Sequence, residues 1–164
     1  MKTALDRSHA VRAMLVLVLL AVLSSGCGGG QERRSSGTSD YACREALNQA
    51  LASDGALDSR ARTLMADVVA GRIGLQPCLD ELVVQSRDLV GLISTVADAP
   101  EPSDPDLKKA CAETEQFLRD RVFQVESALG ATTPAELQPL YDSKAADLSS
   151  ARDRVRNLIK QYEQ

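Results

Sequence analysis

The side chains of this sequence that could do chemistry are carboxylates and thiols. The 164 residues include 23 Asp and Glu, four Cys and a single histidine, His9. Glu113 with Glu115, or Asp80 with Glu81, could supply a general acid and a general base. Acids at such spacings are common on solvated helix faces, and no motif beside them indicates a cleft. We therefore expect a protein that is not an enzyme, and a carboxylate-dependent enzyme is the less favoured alternative.

A second group of acids surrounds a proline-rich connection. Asp98, Glu101, Asp104 and Asp106 carry hard oxygen ligands of the kind that bind calcium. Ser103 and Asp106, however, have the spacing of a helix capping box, and negative charge is favourable at a helix N-terminus. We expect these residues to cap a helix. The sequence predicts no metal site and no cofactor, since it also lacks a glycine-rich phosphate loop, a nucleophile elbow and a dinucleotide fingerprint.

The N-terminal segment has the organisation of an export signal. Lys2, Arg7 and Arg12 precede an unbroken run of 11 apolar residues, Ala13–Leu23. A helix of that length reaches only about 16 Å, roughly half the hydrocarbon thickness of a bilayer. We therefore predict that residues 1–26 form a removable signal peptide rather than a stable transmembrane helix.

The end of this segment, Leu-Ser-Ser-Gly-Cys at residues 23–27, resembles the lipobox of bacterial lipoprotein precursors. It departs from the commonest pattern in having Ser24 where an aliphatic residue is usual. The resemblance implies that Cys27 is acylated on sulfur, for example with palmitate, and becomes the new N-terminus. Two or more acyl chains anchor a protein stably. The implied location is the cell envelope, with the domain outside the cytoplasm, either periplasmic or at the cell surface.

The mature chain is acidic. The first 26 residues hold three bases and one acid, so that removing them changes the net charge from −4 to −6, and His9 leaves with them. Histidine catalysis is thereby excluded, and nucleic acid is not an expected partner because affinity for phosphates depends on cations. Residues 27–39 are rich in Gly and Ser and predict a flexible tether. Residues 40–164 then form the folded domain.

The domain carries the periodicity of amphipathic helices and no alternating strand pattern. We predict an all-α fold, an up-and-down antiparallel bundle of four to five helices behind the tether. Asp40 is the predicted N-cap of a first helix that runs to Ser53 with Gly55 as its stop, and a second helix runs from Leu57 to glycines 71 and 74. The third begins at Pro77.

The last two predicted helices have clear start signals. The fourth follows Ser103 and stops at Gly130, and the fifth follows the Thr133-Pro134-Ala135-Glu136 capping box. The seam of the fifth helix extends to Tyr162. Pro139 should kink or restart that helix near Gln138.

Cysteine usage predicts one disulfide. Acylation consumes Cys27, which leaves three thiols in an oxidising compartment. In an up-and-down bundle the first and third predicted helices start at the same end, and Cys43 and Cys78 lie in the first turn of each. We therefore predict a Cys43–Cys78 disulfide and a free, buried thiol at Cys111.

Arg152, Arg156 and Lys160 share one face of the last predicted helix and form a candidate docking face for an acidic partner or phospholipid headgroups. The favoured function is that of a lipid-anchored, non-catalytic helical domain that binds or scaffolds another envelope component. The alternative is a small-ligand carrier or sensor with a pocket between helices.

Overall fold

The computed structural model describes the backbone of residues 31–161 and the side chains of residues 37–161. The all-α prediction is confirmed, and the helices pack as an up-and-down bundle. The predicted signal peptide and the predicted lipidation site, Cys27, lie outside the described residues. Within the described part no helix is long and apolar enough to cross a membrane. Residues 31–161 form five helices: α1 Gln31–Val69, α2 Leu75–Ala97, α3 Pro105–Ala128, α4 Pro134–Asp142 and α5 Ala145–Lys160.

Helix α1 is a single helix where the sequence predicts two short helices. It begins at Gln31, nine residues before the predicted cap at Asp40, and continues through Gly55. The predicted stop at Gly55 is wrong. An interior glycine costs only about 1 kcal/mol relative to alanine, which tertiary packing readily offsets. Here the neighbouring Asp54 is fully buried and joins α1 to other helices.

Helix α1 ends at Val69, and Gly71, one of the two glycines predicted to stop it, lies in the turn that follows. Gly71 has a φ of 68°, a left-handed conformation that glycine adopts without steric cost. The N–H of Gly71 donates to the Val68 carbonyl over 2.9 Å, and that of Arg72 donates to the Asp67 carbonyl over 2.8 Å. These bonds satisfy the last carbonyls of the helix and turn the chain back into α2.

Helix α3 is capped by Asp104 rather than by the predicted Ser103. The Asp104 carboxylate accepts hydrogen bonds from the backbone N–H groups of Asp106, over 2.8 Å, and Leu107, over 3.2 Å. Ser103 instead donates its N–H and its hydroxyl to the Asp40 carboxylate, over 2.7 and 2.8 Å. The serine therefore connects the start of α3 to α1.

The long last helix of the prediction is interrupted. The capping box at its start is confirmed, since the Glu136 carboxylate accepts from the Thr133 N–H over 3.2 Å. The chain remains helical past Pro139 and breaks at Ser143 and Lys144, five residues beyond the predicted position. Proline removes one intrahelical hydrogen bond and crowds the preceding turn, and the break follows one turn later.

Helices α1 and α3 run parallel, with α2 and α5 antiparallel to them. Three contacts join α1 to α3 or to the residues just before α3: Asp40 with Ser103, Cys43 with Cys111, and Asp54 with Arg121. The residue numbers rise together along the two helices, so the helices point in the same direction. The core between the helices is closed by large buried side chains. The largest of these are Tyr141, Phe117, Leu47, Met65 and Leu82.

Candidate functional site

A polar cluster lies inside the bundle, centred on Arg121 of α3. Its side chain is 2% exposed, and that of Asp54 on α1 is 0% exposed. Arg121 Nε donates to Asp54 Oδ1 over 2.7 Å. Arg121 Nη2 lies 3.1 Å from Asp58 Oδ1 and donates to the Tyr141 hydroxyl over 3.0 Å. One guanidinium group thus contacts two turns of α1 and the helix α4.

Gln124 and Tyr141 complete the connection between α3 and α4. Arg121 Nη1 donates to Gln124 Oε1, and Gln124 Nε2 donates to the backbone carbonyl of Tyr141 over 2.7 Å. The Tyr141 hydroxyl donates in turn to Asp58 Oδ1 over 2.8 Å. Buried polar groups are tolerated when their hydrogen bonds are made internally, and these side chains bond to one another.

Arg152 belongs to this cluster and not to the predicted docking face. From α5 its Nη2 donates to Asp54 Oδ2, so both Asp54 oxygens are used by arginines. Arg62 extends the cluster outward, with bonds to Asp142 over 2.9 Å and to Asp58 over 3.3 Å. We call this cluster the interior network, and it comprises Asp54, Asp58, Arg62, Arg121, Gln124, Tyr141, Asp142 and Arg152.

The charges of the interior network balance, with three arginines facing three aspartates. Burial acts to lower the pKa of Arg121, but the interactions with Asp54 and Tyr141 together outweigh it and raise that pKa. Burial acts to raise the pKa of Asp58, but the positive charge of Arg121 and the Tyr141 hydrogen bond lower it overall. Burial raises the pKa of Tyr141 to about 12. Arg121, Asp58 and Tyr141 therefore keep their ordinary charge states near neutral pH.

A cavity of about 170 Å³ adjoins the interior network. Arg152 Nε faces no hydrogen-bond partner within residues 37–161, although that atom is buried. The cavity is large enough for several waters or a small anion. Its lining residues are Asp58, Arg62, Arg121, Gln124, Ala145, Leu148, Ser149 and Arg152.

A larger cavity lies between α1 and α5 and has an amphipathic lining. Its volume is about 330 Å³. Leu51 and Ile159 are buried in its floor, whereas Arg156 and Lys160 of the predicted docking face are exposed. No carboxylate of the described residues forms an ion pair with either cation. We call this cavity the α1–α5 cleft, and it is lined by Asn48, Leu51, Ala52, Arg156, Ile159 and Lys160.

The thiols are arranged differently from the prediction. Cys43 Sγ lies 2.7 Å from Cys111 Sγ, and the predicted Cys43–Cys78 disulfide is not formed. The predicted pair requires Cys43 to lie in the first turn of a short helix. Instead Cys43 lies 26 residues before the end of α1, and Cys78 lies in the first turn of the antiparallel α2. At about 1.5 Å per residue this places the two cysteines near opposite ends of the α1–α2 hairpin.

The remaining acids singled out from the sequence lie in local surface interactions. Glu101 pairs with Lys108 over 2.7 Å, and Asp104 caps α3. No group of three or more acids, cysteines or histidines within the described residues could hold a metal ion. The four carboxylates considered for catalysis are engaged separately: Glu113 by Lys109, Glu115 by Arg119, Asp80 by Gln76 and Glu81 by Arg60.

Sequence reasoning missed the interior network, although its periodicity carried a signal. Asp54 continues the buried spacing of Leu47 and Ala50, and Arg121 and Gln124 continue that of Phe117 on α3. A charged residue at an apolar position indicates a buried partner of opposite charge on a facing helix. Asp54 and Arg121 each occupy a position where the helical spacing predicts an apolar residue, and their opposite charges predict an ion pair between α1 and α3.

Comparison of the chain with protein-family models, with curated proteins and with solved structures finds no match.

Proposed function

We propose that this protein is a lipid-anchored envelope protein whose bundle binds an acidic segment of another envelope protein in the α1–α5 cleft. The observation that carries the proposal is the pair of exposed cations, Arg156 and Lys160, above an apolar floor. The anchor is inferred from the lipobox resemblance at Cys27. The binding role is inferred from the cleft.

The cleft is complementary to an amphipathic acidic segment. Arg156 and Lys160 are four residues apart on α5, so their side chains project in the same direction. An arginine can hold a carboxylate through two parallel hydrogen bonds. The adjoining floor of Leu51 and Ile159 suits an apolar side chain of the same segment. The positive cleft stands out on a chain whose net charge is −4.

The interior network supports binding rather than catalysis in this proposal. Asp54, Asp58 and Tyr141 direct their polar atoms at arginines or at one another. A general acid or base must reach a substrate proton, whereas these groups are held by internal bonds that also connect α1, α3, α4 and α5. Their role in the proposed function is to hold the cleft-forming helices in register.

The partner is tested by crosslinking in cells that carry the tagged full-length protein. The double variant Arg156→Glu/Lys160→Glu reverses the charge of the cleft. Arg154→Glu/Arg87→Glu is the matched control, because both of its residues are exposed and lie outside the lining. We expect one crosslinked protein with the wild type and the control and its loss with the cleft variant. An equal yield from both variants, or no crosslinked protein from the wild type, would overturn the proposal.

The anchor is tested separately with Cys27→Ser. We expect this variant to leave the membrane fraction, while Cys78→Ser, which replaces a buried cysteine outside the lipobox sequence, remains there. Unchanged fractionation of Cys27→Ser would contradict the lipid anchor. That outcome would leave the crosslinking result to be interpreted on its own.

A small-anion carrier is the second candidate function. It is favoured by the polar cavity beside the interior network and by the unpartnered Arg152 Nε. A carrier predicts a small molecule that travels with the native protein in a 1:1 ratio. Native mass spectrometry of the purified protein gives its mass, and Ser149→Leu, which would fill the cavity, should remove it. A native mass equal to that of the polypeptide and its acyl group would exclude the carrier.

A further inference from the structure

We infer that Cys43 and Cys111 form a disulfide that joins α1 to α3 in the exported protein. Their sulfur atoms are 2.7 Å apart, and a disulfide bond length is about 2.05 Å, so only a small side-chain adjustment closes the bond. The occurrence of the oxidised form rests on the proposed export to an oxidising compartment. The identity of the pair rests on the structure alone.

The packing of α1 against α3 supports this pairing independently of the two sulfur atoms. The carboxylate of Asp40 accepts two hydrogen bonds from Ser103 on one side of the cysteines. On the other side Arg121 donates to Asp54. The cysteines therefore lie in a segment where the two helices are held together at both ends.

Cys78 does not compete for this bond in the folded protein. Its side chain is fully buried in the face of α2 that also contains Leu82 and Leu89. Within the described residues, the thiol–thiol contact is that of Cys43 with Cys111, and Cys78 forms no disulfide. Cys78 is therefore the residual thiol, the role that the sequence alone suggests for Cys111.

The oxidation balances when a protein disulfide of the thiol–disulfide exchange class is the electron acceptor. The thiolate of one cysteine attacks the acceptor disulfide, forms a mixed disulfide and releases one acceptor thiolate. The thiolate of the other cysteine then attacks the mixed disulfide and releases the second. Cys43 and Cys111 lose two protons and two electrons, and the acceptor becomes a dithiol.

We expect oxidation to take place before the helices are fully packed. Burial raises the pKa of Cys43, and it raises that of Cys111 to about 12. The attacking species is a thiolate, which is scarce for both residues in the folded protein. Reaction with the acceptor is therefore expected while α1 and α3 are still open.

The test maps the cysteines of full-length exported protein after alkylation under denaturing conditions without reduction. Trypsin places them in separate peptides, with Cys43 in 35–44, Cys78 in 73–87 and Cys111 in 110–119. We expect 35–44 linked to 110–119, two mass units below the sum of the reduced peptides, and 73–87 alkylated. A link between 35–44 and 73–87 would overturn the inference.

A second arm separates the pairing from the export proposal. Full-length protein purified in reduced form is refolded with oxidised glutathione and mapped in the same way. The Cys43–Cys111 link in this arm supports the pair even when the exported sample is reduced, an outcome that counts against export. Alkylated Cys43 and Cys111 in both arms would overturn the pair. Cys78→Ala is the matched control, since it removes a buried thiol and should leave the link intact.

Discussion

Arg121 on α3 and Asp54 on α1 form a fully buried ion pair, with 2.7 Å between Nε and Oδ1. Asp54 also accepts from Arg152 of α5, so one carboxylate fixes the relative positions of three helices. Buried ion pairs contribute little net stability compared with an apolar contact of the same shape, because both charges lose their hydration. Removing only one partner is costly, since the other charge stays buried without compensation.

Asp54→Ala is therefore expected to destabilise the protein strongly. The substitution leaves Arg121 and Arg152 without their shared carboxylate, and breaking a buried pair costs about 3–5 kcal/mol. The measurement is the free energy of unfolding from urea denaturation followed by circular dichroism. Glu115→Ala is the control, because it removes an exposed ion pair within α3 that is worth about 0.5 kcal/mol or less. Equal losses from both variants would contradict the assigned role of Asp54.

Gly55→Ala is expected to stabilise the protein. Gly55 lies inside α1, and a Cβ added there meets no atom within 4 Å. Alanine in a helix interior is favoured over glycine by about 1 kcal/mol. The same change at Gly71, where φ is 68°, should destabilise the protein because a side chain strains that conformation. A destabilising Gly55→Ala would indicate that α1 is interrupted there, as the sequence suggests. Thermal unfolding of both variants provides the comparison.

Stability should fall at both ends of the pH range for different reasons. The pKa of Asp58 is below its ordinary value of 3.8 in the folded state. At a pH between the folded and the unfolded pKa of Asp58, the unfolded chain binds more protons than the folded protein. The contribution of Asp58 to the free energy of unfolding is therefore lost as the pH falls below about 4. The pKa of Tyr141 is raised from 10.0 to about 12. The folded protein then retains the proton that the unfolded chain releases, and stability is lost as the pH rises through that interval.

These pH effects can be assigned to single residues. In Asp58→Asn the free energy of unfolding should fall less steeply with decreasing pH than in the wild type measured in the same buffers. In Tyr141→Phe it should fall less steeply with increasing pH. Tyr41→Phe is the control for the alkaline end, since Tyr41 is 60% exposed. An alkaline limb that is as steep in Tyr141→Phe as in the wild type would refute the role of Tyr141.

The Cys43–Cys111 disulfide should stabilise the protein by constraining the unfolded chain. The two residues are 68 apart in sequence, and the chain-entropy model gives about 4 kcal/mol for a loop of that size. Urea unfolding of oxidised wild type with and without reductant measures this difference. Reductant should have the same effect on Cys78→Ala and almost none on Cys111→Ala. A large effect of reductant on Cys111→Ala would indicate a different disulfide.

The helical fold was predictable because the signals for it are local. Each of these signals depends only on residues that are close in sequence. They are the apolar spacing of α2, the left-handed conformation of Gly71 and the capping box of Thr133 and Glu136. Gly55 misled the boundary prediction because local helix propensity is weak compared with packing. Whether the helix continues through Gly55 depends on the pairing of Asp54 with Arg121, 67 positions later in the sequence.

The candidate site was predictable only in part. Arg156 and Lys160 could be placed on one exposed face from their spacing, but Arg152 shares that spacing and lies inward against Asp54. The difference arises from the acceptor on α1, which helical periodicity does not reveal. The Cys43–Cys111 contact was likewise missed because it depends on α1 being one continuous helix.

The parallel packing of α1 on α3 also has a consequence for the order in which the protein folds. Its main contacts join residues 63 to 68 positions apart, with the whole of α2 between them. Because the N-terminal part leaves the ribosome first, Asp54 is synthesised long before Arg121 can neutralise it. A nascent α1–α2 hairpin therefore carries an unpaired carboxylate on its apolar face. We expect ribosome-bound chains to become protease-resistant only after α3 has emerged.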